Sequence, residues 1–405
     1  MRLDIRSLRV VLLSVLLASL ADNAAMAQKK YDVGVTDTTI KIGNIMPYSG
    51  PASAYAAIGK TEAAYFRMIN EQGGINGRKI EFITYDDGFS PPKTVEQARK
   101  LIESDEVFAL FNVVGTAGNS AIQKYVNSKK VPHLFISSGA ARFDDPEQSP
   151  WSMAWWPGYV SEAKIYAKYI QQYYSTKTVG ILYQNDDSGR DYIVGFRQAF
   201  GADADKKIVI ALPYEVTAPS VDSQVVQIKA ANVDIFVNLS TPKFAAQAIK
   251  KIAELGWRPL QFLGNASAST QSTLAAAGIE ASQGVISAVY LKDPSDPRWA
   301  NDDGIRQFRA FMTKYYPEGD QENGTTVFGY GAAKAFVEVL GQCGDNLTRE
   351  NLMKQMTSLD MQIDVYLPGI NIRTSQTDYS PIDQLQPVKF SDQRFEPFGG
   401  VIGSK

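Results

Sequence analysis

"IKIGNIMPYSGPASAYAAIGKTEAAYFRMINEQGGINGRKIEFITYDDGFSPPKTVEQARKLI", Ile40 to Ile102, is the stretch from which the fold is read. It opens with "IKIGNIM" (Ile40 to Met46), an apolar run short enough for one buried strand. From Ala56 to Glu71 the apolar residues return at helical spacing, which predicts a helix. "QGGINGR" then interrupts with three glycines. "KIEFITY" (Lys79 to Tyr85) alternates as a strand does. "SPPKTVEQARKLIES" starts a second helix, with Ser90 in the cap position and proline in the first turn. Strand, helix, strand, helix in this order means parallel strands joined by helical crossovers.

The same rhythm continues outward from that block. "VFALFNVV" (Val107 to Val114) reads as a strand, Thr116 to Lys129 as a helix and "HLFIS" (His133 to Ser137) as a strand. A second series follows: a helix to Tyr174, "TVGILY", a helix to Phe200, "KIVIALPY", a helix, "DIFVNLS", the helix "PKFAAQAIKKIAELG" and "QFLG". Two successive series of this kind predict two doubly wound, Rossmann-like α/β lobes. In such sheets ligands bind at the carboxyl ends of the strands. The loops expected there are "PYSGPASAY", "VVGTAGNS", "ISSGAARF", "QNDDSGRDY", "LSTPKF" and "GNASAST". They are rich in small and hydroxyl residues, which suits backbone N–H groups approaching a small anionic group at a helix start. Taken singly, each loop is equally well explained as helix capping; six across two lobes favour a shared cleft.

Composition removes several function classes. Arg2, Arg6 and Arg9, the apolar run Val10 to Leu20 and "AMA" at Ala25 to Ala27 have the form of a cleaved export signal over residues 1–27. No cysteine lies near that point, so a lipid anchor is not expected, and a periplasmic location is. Removing the leader leaves roughly 380 residues, more than one compact core usually holds. The net charge of −2 argues against nucleic acid as a partner. With one cysteine, Cys343, no intramolecular disulfide is possible, and with one histidine, His133, histidine-rich metal sites and Cys-His or Ser-His dyads have almost no raw material. No cofactor is expected. An exported hydrolase working in the same cleft is the alternative class, and a ligand-sensing receptor subunit another. The chain offers the hydrolase no G-x-S-x-G elbow and no phosphate loop.

The opening block resembles the branched-chain amino-acid-binding proteins of bacterial ABC importers. The SGP loop, "INEQGGINGRKIE" and the "YDD" strand end match in order and spacing, and "FGYGAAKAFVEVL" (Phe328 to Leu340) resembles that family's late lobe-one helix. The resemblance implies a type I periplasmic binding fold: two lobes joined by three crossings, closing on a small molecule by hinge motion, and a loaded form that docks on a membrane permease. By analogy lobe one combines 28–154 with 288–375, and lobe two 155–287 with 376–405; a monomer is expected. The family's ligand-facing aromatic falls on Tyr55. Its carboxylate-binding hydroxyl falls on Thr116, with the backbone of Ala117, and its second carboxylate loop on Ser137, Ser138, Gly139 and Ala140. The lobe-two positions that hold the ammonium fall near Ser188, Thr241 and Asn265, none acidic or aromatic. The family's disulfide positions fall near Phe89 and Gly115.

A buried ammonium without a carboxylate or aromatic partner is costly. The residues therefore favour an apolar or aromatic carboxylate over a simple amino acid, unless Asp186, Asp187 or Asp191 supplies the charge. Trp155 and Trp156 lie at the first crossing, where adjacent residues of an extended chain point opposite ways. One of them is expected to wall the cleft. Trp151 is read as structural, as are Asp86 and Asp87, His133 and Cys343. Arg142 is expected to pair with Asp144 or Asp145.

Overall fold

The computed structural model describes residues 29–403. The expected export signal at 1–27 lies outside the described residues. Two open sheets organise the molecule. The first has five parallel strands, β1 (Thr39–Met46), β2 (Lys79–Asp86), β3 (Ala109–Phe111), β4 (His133–Ile136) and β5 (Ser152–Ala154), in the order β2-β1-β3-β4-β5. The second contains β6 (Val179–Gln184), β7 (Ile208–Tyr214), β8 (Ile235–Leu239), β9 (Leu260–Leu263) and β10 (Ile286–Val289), parallel and in the equivalent order β7-β6-β8-β9-β10. Two antiparallel strands, β11 (Gln384–Ser391) and β12 (Arg394–Pro397), extend it beyond β10, and Ile402–Gly403 also pairs with β11. Ala288 and Val289 thus lie in the second sheet, two residues past the boundary drawn from sequence.

The helices are α1 (Ala56–Glu71), α2 (Pro91–Arg99), α3 (Thr116–Ser128), α4 (Tyr159–Tyr173), α5 (Asp187–Phe200), α6 (Asp222–Ala230), α7 (Pro242–Glu254), α8 (Asp303–Tyr315), α9 (Gly324–Gln342) and α10 (Arg349–Met356). The chain leaves the first sheet after β5 and builds the second as far as β10. It then returns to set α8 and α9 against α1, and crosses again to enter β11. Helix α9 is buried around most of its circumference. It lies so close to α1 that a Cβ on Gly329 would be 2.7 Å from the Ile58 carbonyl oxygen. Beneath it Phe336 stacks on Phe111 with ring centroids 4.5 Å apart, and Phe66 and Phe135 complete an aromatic core. Ser90 occupies the cap position of α2, but its side chain makes no cap bond. Asp87 holds that turn, accepting from Phe89 N and from Thr94 Oγ1.

Candidate functional site

In a sheet ordered 2-1-3-4-5 the crevice opens where strand order reverses. In the first lobe this lies between β1 and β3, whose following loops carry Tyr55 and Thr116. In the second it lies between β6 and β8, whose loops carry Ser188 and Thr241. The two switch points meet in a cavity of ≈ 50 Å³ between the lobes, walled by Tyr55, Thr116, Ser137, Trp156, Ser188 and Thr241 among others. Six of the residues chosen from sequence are therefore brought together.

The first-lobe side is a hydroxyl cluster with fixed hydrogen bonding. Thr116 is the first residue of α3, whose leading N–H groups have no intrahelical acceptor. Its Oγ1 lies 2.7 Å from Ser138 Oγ. Ser137 Oγ donates to Asn112 Oδ1, and Asn112 Nδ2 donates to Glu62 Oε1. Burial raises the Glu62 carboxyl well above the usual range, which favours its neutral form. The loop before α3 is held by Asn119, whose Nδ2 donates to Val113 O at 2.9 Å and whose Oδ1 is 2.7 Å from His133 Nε2. Complete burial pushes His133 down to about 3, so the ring is neutral.

The second-lobe side departs from expectation. It has aromatic residues, Tyr159 at the start of α4 and Tyr192 in α5, which line the cavity with ring centroids 4.8 Å apart. An acidic residue stands one layer behind them. Glu162 is fully buried and accepts from Tyr166 OH and Tyr192 OH at 2.7 Å each and from Asn265 N at 2.6 Å. Burial raises its carboxyl to about 7, against those three donors. Burial also pushes the Tyr159 hydroxyl up to about 12, although it is hydrogen-bonded to Thr116 and Ser138. Tyr159, Glu162 and Tyr192 escape a loop-by-loop reading because all three lie in helices, where the tyrosines read as core and the glutamate as an ordinary helical polar residue.

The three candidate aspartates are otherwise engaged. Asp186 caps α5, accepting from Ser188 N at 2.9 Å and from Gly189 N at 3.4 Å. Asp187 Oδ2 takes Arg142 Nη1 at 2.8 Å and Ser120 Oγ at 3.0 Å, both from the first lobe. Asp191 Oδ2 takes the Ala141 N–H at 2.8 Å. Arg142 therefore reaches across the cleft, farther than the pairing with Asp144 or Asp145 read from sequence. The Tyr55 hydroxyl spans it as well, donating to Ala266 O at 3.1 Å.

Other expected site residues stand back from the inter-lobe cavity. Trp155 is a core residue: it is fully buried, stacked on Phe135 with centroids 3.9 Å apart, and its Nε1 donates to Tyr366 OH at 2.9 Å. Trp156 faces the opposite way and is the cavity wall, as strand alternation requires. Ser138 lies behind Thr116 and bonds to it. Gly139 and Ala140 are covered; a Cβ on Gly139 would strike Pro157 O at 2.0 Å. Ala117 faces a neighbouring groove with Asp87 and Asp186. Asn265 donates from Nδ2 to Ala288 O at 2.7 Å and borders a second, larger chamber of ≈ 240 Å³ on the far side of Trp156. Phe89 and Gly115 do meet beside the cavity: the Phe89 ring lies against the Gly115 backbone.

A model of the periplasmic binding protein family matches residues 39–393. Among relatives, the Leu/Ile/Val-binding protein homolog 7 of Brucella suis is 22% identical over 368 residues, covering 87% of this chain and 89% of the relative. A branched-chain amino-acid ABC transporter protein of Thermus thermophilus with bound valine superposes with a TM-score of 0.80 at 16% identity, covering 91% of this chain and 97% of that one. A fatty acid ABC transporter substrate-binding protein of Thermomonospora curvata gives a TM-score of 0.74 at 22% identity, covering 93% of each chain. With the family model spanning most of its length and two α/β lobes closing on a hydroxyl-lined cavity, the chain belongs to the periplasmic binding protein family.

Proposed function

We propose that this protein is the solute-binding component of an ABC importer. It captures a small carboxylate-bearing molecule between its lobes in the periplasm and presents the closed form to a membrane permease, with no covalent chemistry. The observation that carries this reading is the composition of the inter-lobe cavity. On one side stand the N-terminus of α3 and the Thr116 hydroxyl, donors suited to a carboxylate, with Ser137 beside them already donating to Asn112. No acidic side chain lines the opposite wall, and the nearby Asp186, Asp187 and Asp191 are committed to a cap or to cross-lobe bonds. An apolar or aromatic acid satisfies these walls without leaving an ammonium unpaired. The Tyr159 and Tyr192 rings, tilted against each other on the cavity wall, favour a second reading, an amino acid whose ammonium rests on an aromatic face.

A thermal-shift screen of the purified protein separates the two, with tryptophan fluorescence as a second readout. Branched-chain amino acids are compared with benzoate- and cinnamate-type acids. A ligand at high excess should raise the melting temperature by roughly 2–10 °C through mass action. A shift with the acids and quenching of indole emission support the first reading; a shift with leucine or valine alone supports the second. Recovery of the ligand chemically unchanged after denaturation is expected in either case, and turnover would mean an enzyme.

A further inference from the structure

The larger chamber shares Ile58, Trp156 and Ala266 with the inter-lobe cavity, so the two lie on either side of a common wall. Its volume of ≈ 240 Å³ exceeds the roughly 150 Å³ that suffices to enclose a benzene ring. Leu291, Phe328 and Leu367 supply apolar lining, and Phe328 lies 4.7 Å from Trp156 between ring centroids. Within this lining three groups have no hydrogen-bond partner, Ser272 Oγ and two on neighbouring aromatic side chains, Trp156 Nε1 and the Tyr290 hydroxyl. Both side chains are deeply buried, at 9% and 1% exposure, and their rings stand 6.3 Å apart. Buried polar groups are nearly always paired, and the adjacent Trp155 indole shows the ordinary outcome, bonded to Tyr366. The cations of the chamber are already matched: Lys292 Nζ sits 2.7 Å from both Asp302 Oδ2 and Asp364 O, and Arg298 pairs with Asp296. With Asp293 also on the wall, a second carboxylate would be repelled.

We propose that this chamber is a second ligand subsite. It takes the apolar body of an acid whose carboxylate lies in the inter-lobe cavity, and two of its unpaired donors, Trp156 Nε1 and the Tyr290 hydroxyl, hold a neutral acceptor, an ether or carbonyl oxygen, at the far end of that body. Trp156 is the shared wall along which the ligand passes. The proposal rests on the carboxylate reading above and adds length and a terminal acceptor to it.

Isothermal titration calorimetry with isosteric probes tests it: 4-methoxybenzoate against 4-ethylbenzoate, and 4-methoxycinnamate against 4-ethylcinnamate, with the unsubstituted acids and leucine as references. The methoxy member of at least one pair should bind about fivefold or more tighter to the wild-type protein, the worth of one net hydrogen bond. Tyr290→Phe, which removes only a hydroxyl, should shrink that preference while leaving affinity for the ethyl compounds within about twofold, and Trp156→Phe, which also trims the shared wall, should shrink the preference whatever it does to overall affinity; melting curves verify that both variants fold. Equal affinity within both pairs overturns the subsite while leaving the carboxylate reading intact. A preference that survives in both variants also overturns it. Binding of leucine with none of the acids overturns both.

Discussion

Gly115 has φ = +103°, and a Cβ there would lie 2.4 Å from Cε2 of Phe89. By the resemblance read from sequence, the family's disulfide positions fall near these two residues. The ring laid on bare backbone closes the same loop by packing, and it does so at the lip of the cavity. The pairing of positions was legible in the sequence; that a ring over a glycine replaces the covalent link was not, because neither residue alone announces the contact. Glu162 was invisible for a different reason. On α4 it reads as a helical polar residue, yet it is buried among three donors. Burial lifts its folded pKa to about 7, above the ordinary 4.5 of a glutamate, so the folded state takes up a proton more readily than the unfolded chain. The contribution of this group to stability is therefore fullest below pH 4.5 and is lost as the pH rises toward and through about 7. Melting temperatures of wild type and Glu162→Gln between pH 5 and 8 should converge or cross in favour of the variant as pH rises. Parallel curves would contradict the assignment.

Helix starts do most of the work at the next scale. The first turns of α3 and α5 face each other across the cleft, one offering N–H groups and hydroxyls, the other Asp187 and Asp191. Sequence reading placed the start of α3 at Thr116 and the end of α5 at Phe200, and found the small, hydroxyl-rich loops that feed both helices. It did not find which aspartate crosses the cleft, because partners distant in sequence leave no periodic trace: Arg142 and Asp187 are separated by 45 positions. With side chains 38% and 30% exposed, this ion pair is worth about 0.2–1 kcal/mol after screening. Arg142→Gln should therefore weaken ligand binding by roughly two- to fivefold, chiefly through faster release. Stopped-flow dissociation at low salt and at 1 M salt checks this: salt should speed release from wild type and hardly affect the variant. An unchanged release rate in the variant would remove the pair from the closing mechanism.

At the scale of the whole molecule, two doubly wound lobes were foreseeable from alternating strands and helices in two series; their shared 2-1-3-4-5 order was not, because alternation alone does not choose among doubly wound orders. The edge beyond β10 was not: β11 and β12 carry none of the crossover rhythm, being antiparallel additions whose place is set by pairing with Ile286–Val289. Bonds from Tyr55, Ser120, Ala141 and Arg142 to the second lobe describe a closed cleft. Small-angle scattering should accordingly give a smaller radius of gyration with a bound ligand than without, near the roughly 21 Å expected for a compact chain of this length when closed. Equal radii in the two states would mean that binding and closure are uncoupled. The late return of the chain has a further effect, on the order of events during synthesis. A ribosome releases β1 long before α9 exists to cover α1, and β10 long before residues 384–391 arrive to pair with it. Neither half can finish folding as it emerges, so the polypeptide remains an unfinished, apolar-exposing chain until its last segment is made, open to chaperones and unfolded-chain transport for the whole of that interval.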